Sequence, residues 1–472
     1  MTNSEPKIGR ENFLSETLSR ESIFDISEKR LSEWFVQANG KAFWARQTLR
    51  WLFEKRVLDT KQYTDIPPIF REKLSQEFSF ELPKIDSLLA SSDGSEKILL
   101  KSIDEKYFEC VLMPSPDRVT ICVSSQVGCR MACTFCQTGR LGLSRNLTKG
   151  EILAQLLWCY KQLEKRGDDR RITNVVFMGM GEPLDNLDNV IEATRVMLAP
   201  HYFGMSKHRV TVSTCGLVPE IRRMAKEFPL RLAISLHSAD PTRRTQLMPV
   251  NRQHSLEELK KALLDYPAGR DGITFEYIML DGVNDTVEYA KKLVKFLHGL
   301  KAKVNLIPMN AHPGMEWKPS QEKNMREFQK YLSDRSIPAP IRYSRGDDIS
   351  GACGQLAAKR ENELHLPPKR IAKTPPKATR PATQQPTQQE TPGQQSTDTT
   401  FCGGAWKVWA EFLKRYGRDS AIKMADGQTI HTNQVMRHVE SWDHQWVLTP
   451  AGEVLERQPN GTDVSLFAIA KK

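Results

Sequence analysis

Three cysteines stand at spacings of four and three in the run Cys129-Arg-Met-Ala-Cys133-Thr-Phe-Cys136. Three thiolates on one tight loop can hold three corners of a four-iron cluster and leave the fourth iron without a protein ligand. A reaction on a bound small molecule requires such an open iron. A structural zinc site wants four protein ligands, and no fourth Cys or His lies at finger-like spacing. A chance trio of buried thiols is the third reading of the same residues. Cys122 and Cys353 lack cluster spacing, and each taken alone reads as a small buried apolar residue. Gly181-Glu182 ends a predicted strand, where glycine lets the backbone approach a ligand and a carboxylate can accept from an ammonium group. A simple turn before Pro183 explains that pair equally well.

These residues need a scaffold, and the texture of the chain from about residue 97 supplies one. Short apolar runs at 120–124, 174–178, 209–213, 231–235, 274–279, 303–308 and 341–343 read as strands. Amphipathic stretches at 149–165, 189–198, 255–264 and 287–300 lie between several of them. Repeated strand–helix units imply an α/β fold, a parallel sheet with helices outside. A closed or a partly open barrel would both put chemistry at the carboxyl ends of the strands.

Residues 1–96 read as a helical N-terminal domain. Leu31, Trp34 and Phe35 sit at helical spacing, residues 47–56 repeat the pattern, and a short helix at 70–78 follows Pro67-Pro68. Lys41, Arg46, Arg50, Lys55 and Arg56 punctuate these helices; judged alone, they favour a solvated face over an RNA contact. The strand–helix core is expected to run over 97–366. Residues 367–400, dominated by Pro, Gln, Thr and Lys, cannot bury enough surface to fold and read as a disordered tether. Residues 401–472 form a small C-terminal module, with Trp406, Trp409, Phe412 and Leu413 at helical spacing. A hairpin turn at Asp426-Gly427 and strand material at 446–455 complete it.

The 472 residues include 68 Lys and Arg against 57 acidic residues, a formal charge of +11. Polyanions are the favoured partner class, because cations on phosphate gain affinity by counterion release; charge alone does not decide it. No run approaches the ~20 apolar residues of a membrane span, and residues 1–16 lack the apolar core of a signal peptide. A cytoplasmic, reducing setting is expected. There the nine cysteines read as thiols, ligands or catalytic groups rather than structural disulfides.

The triplet, with Phe135 directly before its last cysteine, resembles the radical S-adenosylmethionine (SAM) superfamily. There the open iron of a [4Fe–4S] cluster binds SAM and reduces its sulfonium, giving a 5′-deoxyadenosyl radical. The resemblance narrows with Ser124-Ser-Gln-Val-Gly-Cys129, Gly139, Arg145-Asn-Leu-Thr148, Met178-Gly-Met-Gly-Glu-Pro183 and Ser213-Thr-Cys-Gly216. Ser235-Leu-His237, Asn305-Leu-Ile-Pro308, Arg345-Gly-Asp-Asp348 and Ala352-Cys-Gly-Gln-Leu356 extend it. Together these are similar to the dual-specificity adenine methyltransferases of 23S ribosomal RNA and transfer RNA, over residues 97–360. Residues 40–53 are similar to that family's helical N-terminal domain.

The resemblance implies a partial (β/α) barrel with the cluster on Cys129, Cys133 and Cys136. SAM would be bound at Gly181, Glu182, Ser213, Ser235, Leu236, His237 and Asn310. Cys353 matches the thiol methylated by a first SAM, a step that needs the thiolate. A second SAM supplies the radical that abstracts hydrogen from the S-methyl group, and the carbon radical adds to adenine. The detour has a reason: the ring carbon is electron-poor and will not attack a sulfonium methyl. Cys122 matches the resolving thiol that forms a transient disulfide with Cys353 and releases the base. Glu109 matches the family's proton acceptor.

The implied activity is methylation at carbon 2 of an adenine in the peptidyl-transferase centre and of the adenine beside the anticodon. The sister activity at carbon 8 shares the cysteine set, but the long N-terminal domain and residues 124–128 look more like the carbon 2 branch. A low-potential electron donor of the flavodoxin or ferredoxin type and a monomeric chain go with it. With RNA as substrate, the basic N-terminal helices, Trp44 and Trp51 among them, become candidate grips on the backbone. A non-catalytic RNA-binding protein with structural zinc is the reading of another class, and Cys353 in its matched context speaks against it.

Overall fold

The computed structural model describes residues 20–310 and 315–356, together with six strands between residues 401 and 469. The chain divides into two compact units, residues 1–371 and 372–472. The first opens with helices α1 (Glu28–Gln37), α2 (Trp44–Phe53) and α3 (Pro68–Glu77). Ser27 caps α1, its hydroxyl accepting from the Arg30 N–H at 3.2 Å, and Pro68 opens α3 where a missing N–H costs nothing. Leu31, Phe35, Leu49, Leu52 and Leu74 meet in a buried core.

Both tryptophans of the expected RNA grip belong to that core. The Trp51 ring stacks on Tyr63 at 5.2 Å, and its Nε1 donates to Asp65 at 2.6 Å. Trp44 packs on Phe35 and Phe70. Among the basic residues, Arg46, Arg50 and Arg56 face the carboxylates of Glu28, Glu54 and Glu164. Their charge is largely answered within the protein.

A nine-stranded sheet follows. Its strands are β1 (Lys84–Ala90), β2 (Glu96–Lys101), β3 (Tyr107–Ser115) and β4 (Arg118–Cys122). After a separate hairpin, β5 (Gln126–Cys129) and β6 (Gly142–Asn146), come β7 (Asn174–Phe177), β8 (Val210–Thr214), β9 (Arg231–Ser235), β10 (Ile273–Met279) and β11 (Ala302–Pro308). The spatial order is β11-β10-β9-β8-β7-β4-β3-β2-β1. Strands β4 and β7 to β11 are all parallel, whereas β1 to β3 extend the sheet antiparallel. Helices α4 (Lys149–Lys165), α5 (Leu187–Leu198), α6 (Val218–Glu227), α7 (Leu256–Leu264) and α8 (Val287–Leu297) connect the parallel strands. Thr148 and Glu151 close a capping box at the start of α4, and Ser255 and Glu258 do so for α7. Among the described strands β11 does not pair back onto β4, so the barrel is open, as expected.

Two elements differ from the sequence reading. The sheet takes in residues 84–96, which composition grouped with the helices; β1 is a mostly exposed edge strand without a clean two-residue alternation, so its sequence carries little strand signal. The run at 341–343 runs alongside β11 but makes only an isolated bridge between Leu306 and Ile341. The N–H groups of Val304 and Leu306 donate to the carbonyls of Pro338 and Pro340. Those prolines have no N–H to return; only the Arg342 N–H donates back, to the Leu306 carbonyl at 2.7 Å, and the ladder stops at that one bridge.

Alternate residues of the parallel strands point inward. From the amino ends, the first inward layer is Arg118, Asn174, Arg209, Arg231, Thr274 and Lys303. The next contains Thr120, Val176, Thr211, Glu276 and Asn305. A (β/α) barrel ordinarily fills this space with branched apolar side chains. Here polar and charged residues leave a cavity of about 560 Å³.

The second unit holds a six-stranded sheet. Ala421–Met424 and Thr429–His431, the strands flanking Asp426-Gly427, pair antiparallel, and Gln445–Leu448 pairs with Glu453–Arg457. The expected helix around Trp406 to Leu413 and the expected tether at 367–400 lie outside the described residues. No helix among the described residues is long and apolar enough to cross a membrane.

The hairpin β5–β6 carries the cysteine loop between its strands. Gly128 in β5 has φ +77°, and a β-carbon there would fall on the carbonyl oxygen of Gly142 in β6. Gly128→Ala is expected to destabilise the protein by more than about 1 kcal/mol in denaturant unfolding. It should also lower the iron and sulfide recovered with the anaerobically purified protein. A wild-type midpoint would contradict this account of the hairpin.

Candidate active site

The three cysteines sit at the carboxyl end of the sheet in a loop pinned from several sides. The Cys136 N–H donates to the Cys133 carbonyl at 3.1 Å, and the Thr134 N–H to the Leu247 carbonyl at 3.0 Å. The Gln137 N–H donates to the Gly354 carbonyl at 2.8 Å, and Thr138 Oγ1 to the Leu356 carbonyl at 2.6 Å. The segment carrying Cys353 is thereby stitched onto the cysteine loop.

The donor set fits an iron–sulfur cluster. The Met131 N–H points at the Cys129 sulfur, and the N–H groups of Thr138 and Gly139 point at Cys136. Such donors stabilise thiolates and tune clusters. Burial above all pushes the three thiols up, Cys129 to about 12, with Glu182 and the neighbouring thiols adding to it at Cys129 and Cys133; bound iron reverses this because it favours the thiolate. Among the described residues no three His, Cys, Asp or Glu converge on a single ion position. A four-iron cluster asks for less convergence, because each cysteine binds a different iron.

Beside the three cysteines lies a cavity of about 160 Å³ lined by Gly181, Ser213, Ser235 and His237. Gly181 has φ +100°, and a β-carbon there would meet the Gln126 side chain at 2.6 Å; only glycine serves. The Ser213 and Ser235 hydroxyls stand 3.4 Å apart. His237 is itself held at φ +55°, and its Nδ1 accepts from the Ile278 N–H at 3.0 Å. Burial first, and Arg244 second, hold its pKa at about 3. The imidazole is therefore neutral, with its proton on Nε2 as a donor.

The other expected SAM residues are placed differently. Glu182 does not line the cavity: one carboxylate oxygen accepts from the Leu184 N–H at 3.1 Å, the other from the Cys215 N–H at 2.8 Å. Leu236 is buried and its N–H donates to the Glu276 carbonyl. Asn310 lines neither cavity and instead donates to the Ser344 hydroxyl at 2.8 Å and the Cys353 carbonyl at 3.2 Å. It holds the Cys353 segment.

Cys353 lines both cavities and Cys122 only the larger one; both are free thiols. The exposure of Cys353 is to these cavities, so surrounding protein still pushes its thiol up to about 11, with Glu276 adding to the burial. Burial pushes Cys122 higher, and Cys353 is the next influence on it. The fold brings together two cysteines 231 positions apart in the chain. Glu109 is less directly placed. It lies two residues before Val111, the register partner of Cys122, but it lines neither cavity and pairs with Lys97 at 3.3 Å.

Two residues escaped the sequence reading. Arg244 is 1% exposed and donates to the carbonyls of Ser235 at 3.0 Å, Cys215 at 2.6 Å and Leu236. It ties the turns after β8 and β9 together, yet Arg243-Arg244 in sequence looks like surface charge. Glu276 lines both cavities and accepts from Asn305 Nδ2 at 2.8 Å. The signal for it was available: one carboxylate inside an otherwise apolar strand is costly unless it has a task.

Arg244→Leu strips three buried carbonyls of a charged donor. The expected loss is about 3 kcal/mol of stability by denaturant titration, with weakened SAM binding to the folded fraction. A wild-type unfolding midpoint would show that the guanidinium does not hold these turns.

Residues 123–297 match the family model of the radical SAM superfamily, and residues 22–79 match the ribosomal RNA large subunit methyltransferase N-terminal domain. The dual-specificity RNA methyltransferase RlmN of Syntrophobacter fumaroxidans is 44% identical over 338 residues, 71% of this chain and 98% of that protein. Its counterpart in Dichelobacter nodosus is 41% identical over 344 residues, 72% of this chain and 94% of that one. The crystal structure of a radical SAM methyltransferase from Sphaerobacter thermophilus is similar at a TM-score of 0.68 and 38% identity, covering 72% of this chain and 100% of that one. A [4Fe–4S] cluster and SAM are the cofactors of such enzymes, and the cysteine loop with its adjoining cavity fits them. The chain belongs to the RlmN family of dual-specificity RNA methyltransferases, within the radical SAM superfamily.

Proposed function

We propose that this chain methylates carbon 2 of adenine in RNA, at the peptidyl-transferase centre of 23S ribosomal RNA and beside the anticodon of transfer RNA. One observation carries the reading: the free thiols Cys122 and Cys353 line one cavity, and Cys353 also opens onto the cavity beside the cysteine loop. The relatives' name supports dual RNA specificity. The matched N-terminal domain supports carbon 2 over carbon 8. A flavodoxin- or ferredoxin-type protein supplies electrons, in the cytoplasm, to a monomeric chain. Residues 21–83 and 401–472 are accessory to residues 84–356.

Cys129, Cys133 and Cys136 would hold the cluster, and Gly181, Ser213, Ser235 and His237 would hold SAM. Together the two cofactors supply a methyl group and a one-electron means of activating it. The Cys353 thiol keeps its proton at neutral pH until a cationic sulfonium stands beside it, an opposite charge that favours the thiolate. Its sulfur then takes the methyl group and presents it to the larger cavity. Once the methyl carbon is joined to the adenine ring, the Cys122 sulfur attacks the Cys353 sulfur. The S–S bond forms as the S–C bond breaks and Cys122 gives up its thiol proton; the electron pair of the S–C bond stays on the carbon, which takes up a proton to become the product methyl. Glu109 accepts the ring hydrogen as a proton, on the Cys122 side of the sheet.

Nucleosides from a deletion strain, resolved against standards of 2-methyl- and 8-methyladenosine, test the activity. Loss of 2-methyladenosine from both RNA classes is expected; its persistence with no homologue present would sink the reading. Cys353→Ala should abolish transfer while leaving the cluster spectrum unchanged. Cys122→Ala should trap a covalent protein–RNA adduct on a denaturing gel, whereas full turnover would remove the resolving role. A chain ending at residue 371 should keep the activity.

A further inference from the structure

The chemistry above leaves one proton without a destination. Cys353 must lose its thiol proton when its sulfur takes the methyl group, and the surrounding protein opposes a free thiolate there. A proton acceptor has to stand beside that sulfur, within reach of the side where SAM would lie.

Few residues meet that condition. Of those that line both cavities, Met178, Ile307 and Leu356 are apolar, and the other two are Cys353 and Glu276. Among the described residues Glu276 is the one Asp or Glu that lines either cavity. Strand β10 sets it in register between Ser235 on β9, a residue of the SAM set, and Asn305 on β11. Asn305 Nδ2 holds one carboxylate oxygen at 2.8 Å, and no described residue donates to the other.

The remaining ionisable groups are taken. On the cysteine-loop side, Cys129, Cys133 and Cys136 would bind iron. His237 Nδ1 accepts from the Ile278 N–H at 3.0 Å, and its Nε2 carries the proton, so no lone pair is left. Burial, with Glu182 next, pushes the Cys215 thiol up, and it keeps its own proton. In the larger cavity, Arg118, Arg209, Arg231, Lys303, Arg342 and Arg345 are cations without an acceptor. Burial pushes Cys122 up, and the Tyr343 hydroxyl donates to Glu322 at 3.0 Å. Burial also pushes the Glu276 carboxyl up, while Asn305, then Arg342 and Lys303, draw it back. A carboxylate so balanced stays ionised beside a sulfonium and still holds a proton afterwards.

We propose that Glu276 is the base of the first methyl transfer, its free carboxylate oxygen taking the Cys353 thiol proton as the Cys353 sulfur takes the methyl group. The new S–C bond forms as the sulfonium S–C bond breaks, whose electron pair stays on the departing sulfur. A buried cation and a buried anion thereby become neutral products, which a site poor in water favours. Glu109 takes a different proton, from the ring. The inference rests on the reading of Cys353 as methyl carrier.

The test starts from anaerobically reconstituted holoenzyme whose Cys353 carries no methyl group. It compares the wild type with Glu276→Gln, which still accepts from Asn305. In the first arm, without SAM, alkylation of Cys353 by iodoacetamide is followed against pH by peptide mass spectrometry. Removing the negative charge should move the midpoint to lower pH, because the carboxylate opposes the thiolate. In the second arm, methyl-deuterated SAM is added without RNA or reductant, and the label on Cys353 is timed over about pH 6 to 9. The wild-type rate should be level above neutral pH and fall below it as the carboxyl is protonated. In Glu276→Gln it should be about a hundredfold slower at neutral pH and climb about tenfold per pH unit, with SAM affinity unchanged. A carboxylate acting only as a neighbouring charge gives the opposite sign, since the variant's freer thiolate would be methylated faster. That result would overturn the proposal, as would an unmoved alkylation midpoint or a loss that saturating SAM cures. Should Glu276→Gln lose the cluster spectrum, Glu276→Asp keeps the carboxylate, and its rate should stay level with pH. A rate that climbs in the Asp variant would count against Glu276 in the same way. A wild type that takes no label at Cys353 at any pH would sink the methyl-carrier reading itself, and this proposal with it.

Discussion

Side chains at inward positions of a parallel barrel normally pack against one another and close the lumen. In this chain they do not, because the strands place Arg118, Thr120, Arg209, Thr211, Glu276, Lys303 and Asn305 there. Groups that carry charge or hydrogen-bonding capacity resist removal from water unless each finds a partner. Asn305 Oδ1 is buried with none, and Arg118, Arg209, Lys303 and Arg342 form no ion pair among the described residues. The space stays open for that reason, and two sites share it. The carboxyl ends of the strands face the cysteine loop, and the amino ends face a basic mouth.

Cys353 stands where the two spaces meet, on a segment with little regular structure of its own. It is positioned by contacts with groups that have independent reasons to be rigid. The cysteine loop holds it through Gln137 and Thr138, and Asn310 holds its carbonyl. On the other side, Arg244 ties the turns bearing Cys215, Ser235 and Leu236, and Gly128 and Gly181 permit backbone approaches that a β-carbon would block. One thiol can face two cavities because both walls are held by hydrogen bonds onto main-chain carbonyls, from the Gln137 N–H and from the side chains of Thr138, Asn310 and Arg244.

The parallel strands and their helices were legible because burial writes itself into local periodicity; α4 and β9 fall at the bounds that apolar spacing predicts. Edge strand β1 and the proline-flanked run at 341–343 were not, since neither has an alternating buried face. The family resemblance also made Trp44 and Trp51 candidates to meet RNA, but their rings complete the helical core. Spacing cannot tell an aromatic ring that packs inward from one that waits for a partner.

By itself the sequence determined the three-thiol loop, the strand–helix order and the family, since each is written in residues that are neighbours or recur at a fixed period. The cluster reading of Cys129, Cys133 and Cys136 needed only eight consecutive residues. The meeting of Cys122 with Cys353, the role of Arg244 and the gathering of Arg118, Arg209, Lys303 and Arg342 at one mouth were decided by tertiary structure alone. These residues come from separate strands and turns. Only the parallel register of the sheet, which sets every amino end on one side, makes them neighbours.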